Sequence, residues 1–138
     1  METNEPIRDF TQLLVWRQGH DMVLETYRMT KMFPKDELFC LVSQMRRAAI
    51  SITSNIAEGF GRRTLPDKKH FYVMAEGSLS ELINQFMIAK DLGYLQEEKY
   101  MICLKKMISI SKLLSRLITS LSRTALREDC ISPKGLAA

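Results

Sequence analysis

The sequence predicts an all-α protein, an antiparallel up-down-up-down four-helix bundle. Three observations lead there. Apolar residues recur at alternating spacings of three and four along four long segments, the signature of helices buried on one face. The segments are separated by short turns marked by Pro34, Gly61, Pro66 and Gly93, and short connections make consecutive helices antiparallel neighbours. Among 138 residues there are only 6 Gly and 4 Pro, too few for a turn-rich β fold.

The first segment spans about Phe10 to Met32. Its stripe is Leu13, Trp16, His20, Val23, Tyr27 and Thr30, and Pro34 stops it because proline disfavours α geometry at the preceding Phe33. The second spans about Asp36 to Phe60. Asp36 and Glu37 place negative charge at its N-terminus, where the helix dipole favours it. Its stripe is Leu38, Leu41, Met45, Ala49, Ile52 and Ile56. Gly59 and Gly61 weaken its end, and Gly61 suits the C′ position.

The third segment opens at Thr64-Leu65-Pro66-Asp67, with Thr64 as N-cap and Pro66 tolerated in the first turn. Phe71, Ala75, Ser78, Leu82, Phe86 and Ala89 line it, and Gly93 closes it. The fourth begins at Gln96-Glu97-Glu98 and carries Tyr100, Leu104, Met107, Ser111, Leu114, Ile118 and Leu121. The expected organisation is a polar extension over 1–9, a bundle over 10–123 and a flexible tail over 124–138, where Ser132-Pro133-Lys134-Gly135 argues against order.

Composition narrows the function. With 46% hydrophobic and 26% charged residues the chain is expected to be globular. No apolar run approaches the roughly 20 residues of a membrane span. The start, Met1-Glu2-Thr3-Asn4-Glu5, is acidic and unlike a secretory signal. Cys40, Cys103 and Cys130 lack CxxC spacing, which predicts free thiols in a reducing cytoplasm. A zinc site needs more closely spaced ligands. No GxxxxGK[ST], GxSxG, HExxH or Glu-x-x-His pattern occurs, so the expectation is a non-enzymatic protein without cofactor or metal. His20 reads as a core residue and Trp16 as a packing anchor. Glu58, Glu76 and Glu81 read as capped or solvent-paired acids.

Two features point to partners. On the second helix Met45, Ala49, Ile52 and Ile56 share one side, with Ile50, Thr53 and Ala57 further round. That arc is about 200° wide, whereas a surface helix needs a stripe of roughly 100°. Either the helix is buried on two sides of one bundle, or the surplus meets another subunit. Val73 and Met87, off the main stripe of the third helix, favour the subunit. Ser51, Ser54 and Asn55 read as small polar residues that let helices approach, and Glu58 can pair with Arg62. The second feature is charge. The net charge is +4, and Lys99 to Arg127 holds seven Lys or Arg and no acid. Lys105, Lys112, Arg116 and Arg123 fall on one line of the fourth helix. With Arg46, Arg47, Arg62 and Arg63 they are the candidate contacts for RNA phosphates or an acidic protein. No base-reading module is evident, so backbone and shape are the expected targets.

Several motifs carry a resemblance: Trp16, the Phe33-Pro34 turn, Gln44-x-Arg46-Arg47-Ala48, Ser54-Asn55-Ile56-Ala57-Glu58-Gly59, Gly77-Ser78-x-x-Glu81-Leu82 and Leu92-Gly93-Tyr94-Leu95. Over about Phe10 to Arg123 the chain resembles the four-helix-bundle proteins encoded in intervening sequences of the bacterial large-subunit ribosomal RNA gene. Thr53 departs from the usual apolar or proline residue before Ser54. The resemblance implies an up-down bundle assembled as a homopentameric ring, with no established enzymatic activity. It extends to accessory proteins of diversity-generating retroelements, which bind a reverse transcriptase and nucleic acid through basic surfaces. The implied partners are other copies of this chain and RNA or a nucleic-acid-processing protein. A scaffold that recruits such an enzyme is the alternative reading.

Overall fold

The computed structural model describes residues 6–131. Four α-helices make up almost all of it: α1 (Leu14–Thr30), α2 (Ser43–Gly61), α3 (Leu65–Asp91) and α4 (Glu97–Ile131), and no strand occurs among the described residues. Each helix packs on two others: α2 on α1 and α3, α4 on α3 and α1. That places α2 and α4 across the bundle from one another. The core between them contains Met22, Met45, Ile52, Ile56, Leu82, Phe86, Met107, Ile110 and Leu114, all essentially inaccessible.

Local chemistry sets the helix ends. The Thr64 side chain accepts from the Asp67 N–H at 3.3 Å, capping α3 as its sequence predicts. The α3 C-terminus is a Schellman turn. Gly93 adopts φ +82°, the Tyr94 N–H reaches the Ala89 carbonyl at 3.0 Å, and the Gly93 N–H reaches Lys90 at 3.0 Å. The end of α2 differs from expectation. Gly61 is its last helical residue, and extended Arg62 is the cap. Lys68 takes over the task by donating to the Gly59 and Phe60 carbonyls at 3.3 and 2.7 Å.

Three further departures from the sequence reading have physical causes. First, Leu14 begins α1 after a short 3-10 turn at Phe10–Gln12, and its buried side is Val15, Gly19, Met22, Thr26 and Met29. His20 is exposed, stacked on Trp16 at 4.8 Å rather than enclosed in the core. The reason is close approach: a Cβ on Gly19 would lie 3.1 Å from Thr53 Cγ2. Small residues therefore face α2, and the larger Trp16 and His20 rotate outward. The Thr26 and Thr30 hydroxyls satisfy themselves by donating to carbonyls one turn back, each at 2.7 Å.

Second, the chain enters α2 through a 3-10 turn (Lys35–Glu37) and a π-helical turn (Leu38–Val42). The Glu37 side chain accepts from the Leu41 N–H at 3.2 Å. A π turn carries an extra residue, which rotates everything before it off the α-helical stripe. Leu38, expected in the core, is thus exposed, and Phe39 is 88% exposed. Third, α4 continues to Ile131, so residues 124–131, assigned to a tail from the sequence, are helical. Residues 1–5 and 132–138 lie outside the described residues, including most of the expected N-terminal extension and the Ser132-Pro133-Lys134-Gly135 stretch.

Candidate nucleic-acid interface

The eight candidate cations do not form one patch. Lys105, Lys112, Arg116 and Arg123 are all exposed on α4. They repeat at the spacing of one helix face and span about 27 Å at 1.5 Å per residue. Within residues 6–124 none of the four has an ion pair. Met101 and Ile108 are also exposed beside Lys105, so basic and apolar side chains alternate along this face.

The other four arginines, Arg46 and Arg47 on α2 and Arg62 and Arg63 just after it, divide by role. Arg46 is half-buried. Its Nε donates to Thr30 Oγ1 at 3.0 Å, and its guanidinium lies 4.5 Å from the Tyr27 ring centroid, which ties α2 to α1. Arg62 pairs with Glu58 at 3.1 Å and lies 4.5 Å over Phe71. Arg47 and Arg63 are exposed with no ion pair among the described residues. The opening of α2 has a different surface character. Leu38, Phe39, Ile50 and Arg47 line a concavity of about 630 Å³ with Tyr27 and Arg46.

The small polar residues take the packing role expected of them, with one exception. Ser51 Oγ and Ser78 Oγ are 2.8 Å apart across the α2–α3 contact. Asn55 Nδ2 donates to the Ser51 carbonyl at 2.8 Å and to its hydroxyl at 3.1 Å. Ser54 is exposed and makes no such contact. Gly59 lies under Tyr72, where an added Cβ would come within 2.5 Å of the ring. Glu81 is exposed and accepts from Gln85 Nε2 at 3.4 Å. Gly77 has open space on its outer side. Trp16 is half-buried, with Phe10 edge-on at 5.4 Å. The Tyr94 hydroxyl donates to Glu37 at 3.2 Å, and its ring tilts against Phe33 at 5.5 Å, so the turn after α3 locks onto the turn after α1.

Sequence reasoning missed the most enclosed charge. Glu25, 6% exposed, receives Lys99 from α4 and Arg28 from its own helix at 3.1 Å. The Lys99 hydrogen bond holds its carboxyl below the ordinary value near 4.5 against the opposing effect of burial, with Arg28 adding to the shift. Beside it runs a cleft between α1 and α4 of about 650 Å³. It is lined by Ile102 with Gln18, Asp21, Arg28, Lys105, Lys106 and Ser109. The only hint in the sequence was an acid directly after the apolar run Met22-Val23-Leu24.

The architecture defines an all-α protein of four helices. The chain belongs to the family of 23S rRNA-intervening sequence proteins, whose model matches residues 11–116. A crystal structure of a protein of unknown function from the S23 ribosomal protein family of Bacteroides thetaiotaomicron is similar in fold. It has a TM-score of 0.72 at 20% identity, covering 77% of this chain and 96% of that one. A comparison with curated proteins gives no match.

Proposed function

We propose that this chain is a non-enzymatic, homo-oligomeric bundle that binds RNA or a ribonucleoprotein through the outer face of α4. The observation that carries the reading is the line of Lys105, Lys112, Arg116 and Arg123 on one exposed helix face, without an ion pair within residues 6–124. Regularly spaced, exposed cations suit a phosphate backbone, whose neutralisation releases counterions. Arg47 and Arg63 form a second, separate set of contacts. Arg46 and Arg62 hold the bundle and play a lesser part.

Assembly is supported by surplus apolar surface. Ile50, Val73, Met74, Met87 and Ile88 are each between 41% and 46% exposed in a single copy. Scattered apolar residues are ordinary on a surface, but two exposed apolar pairs on α3, Val73-Met74 and Met87-Ile88, with Ile50 on α2, support a contact with another copy. The antiparallel up-down order is supported by the α1–α2 register, in which Thr30 meets Arg46 while Gly19 meets Ile52 and Ile56. A pentameric ring follows from family resemblance. A cytoplasmic setting is in keeping with the free thiols Cys40 and Cys103, and no helix of the described residues is long and apolar enough to cross a membrane.

Filter binding of structured RNA at two salt concentrations tests the reading. Retention should fall steeply with salt and drop on Lys112→Glu with Arg116→Glu. Weak retention that is insensitive to both would remove the RNA contact. The exposed Phe39 beside Leu38 and Ile50 favours a second reading, a scaffold that recruits a nucleic-acid-processing enzyme such as a reverse transcriptase. Pull-down from nuclease-treated lysate separates the two, because an RNA-bridged partner would be lost.

A further inference from the structure

The cleft between α1 and α4 has a charge imbalance that the bundle itself does not resolve. Three cations, Arg28, Lys105 and Lys106, line the cleft with one carboxylate, Asp21, and the Glu25–Lys99 pair lies beyond Arg28. Glu25 is already engaged: Lys99 and Arg28 bond to its two oxygens. Neither Lys105 nor Lys106 has an ion pair with a described residue. The excess is therefore concentrated at the mouth of the cleft, on the adjacent pair from α4.

Neutral groups complete the wall. Ser109 Oγ donates to Gln18 Oε1 at 2.8 Å, which orients the Gln18 amide and leaves its N–H₂ group as a donor. The volume of about 650 Å³ is in the usual range for small-ligand sites, roughly 300–1,000 Å³. Ile102 is the apolar side chain of the lining.

We infer that this cleft binds a phosphorylated ligand, with Lys105 and Lys106 on the phosphoryl oxygens, Arg28 and the Gln18 amide at its edge, and Ile102 against the uncharged part. A dianionic phosphoryl group brings the local charge to balance. Asp21 works against the anion and sets a preference for ligands that place their phosphoryl group toward α4. The site goes beyond the RNA-binding reading, since it is a discrete concavity on the α1 side of Lys105. The phosphoryl group has two sources, a free phosphate ester or one phosphate of an RNA strand.

Calorimetry of the full chain with inorganic pyrophosphate, and separately with a single-stranded oligouridine, tests it. Pyrophosphate binding should weaken about tenfold or more in Lys106→Glu, the effect expected for a lost charge-assisted hydrogen bond. It should change little in Lys112→Glu with Arg116→Glu, outside the cleft. In unsubstituted protein, pyrophosphate should protect Lys105 and Lys106 from amine acylation while Lys112 stays reactive, a readout that needs no variant to fold. If Lys106→Glu also weakens oligouridine binding and pyrophosphate competes with the oligomer, the source is RNA. If oligouridine binding is unchanged, the source is a free phosphate ester. Pyrophosphate that fails to bind, or binds with no protection of Lys105 and Lys106, overturns the site. The RNA reading is judged apart from this, by the Lys112 and Arg116 variants alone.

Discussion

The Ser51 hydroxyl of α2 and the Ser78 hydroxyl of α3 are 2.8 Å apart, and Asn55 donates to the same Ser51 oxygen. A polar pair between two long helices fixes their register, because sliding either helix breaks the bond. Ser51→Ala should cost about 1 kcal/mol in urea unfolding, the ordinary net value of one hydrogen bond. The Ser51→Ala, Ser78→Ala double variant should be less destabilised than the sum of the singles. Strict additivity would mean that the hydroxyls do not act together.

Gly59 of α2 lies against the Tyr72 ring of α3. A methyl group there would sit 2.5 and 2.8 Å from two ring carbons and 3.2 Å from Phe71 Cβ. Gly59→Ala therefore overpacks a rigid contact and should destabilise by about 1–3 kcal/mol, although alanine is the better helix former. Thermal unfolding checks the sign.

Gly77 is the contrasting case, with nothing within 4 Å of an added methyl group. Gly77→Ala should stabilise the isolated fold by about 0.5–1 kcal/mol. A bulkier change on the same face, Gly77→Arg with Val73→Glu, should leave helicity intact and lower the mass measured by light scattering. An unchanged mass would place the assembly contact elsewhere.

The buried Glu25 makes stability depend on pH. Its folded-state value is depressed, chiefly by the Lys99 hydrogen bond. Its contribution is thus fully present above the ordinary value near 4.5 and is lost as pH falls through the lower folded value. Glu25→Gln should flatten the acid limb of the stability curve and cost about 1 kcal/mol at neutral pH, a modest figure because Lys99 and Arg28 still reach water.

Thiol chemistry reports on the core. Burial raises the Cys103 thiol above its ordinary value, and the side chain is against Met29 sulfur at 3.4 Å. Cys40 is exposed on the π-helical turn. In a Cys130→Ser background, an alkylating reagent should modify Cys40 quickly and Cys103 only on unfolding. Equal rates would mean that the α1–α4 side opens readily.

Much of the fold was legible in the residues alone. The four helices, the Thr64 cap and the Gly93 turn depend on contacts within a few residues, so sequence determined them. Ser51 and Asn55 were likewise legible as packing groups, because small polar residues in an apolar stretch have few other uses. Tertiary structure decided the rest. It turned Gly19 and Thr26 inward and His20 outward, since helix rotation follows the closest packing rather than the largest side chains. It set Lys99 on Glu25 and Arg46 on Thr30 and Tyr27, and it divided the candidate cations between opposite sides of the bundle. A helix encodes which residues share its face, but the direction that face takes is fixed only when a neighbouring helix packs against it.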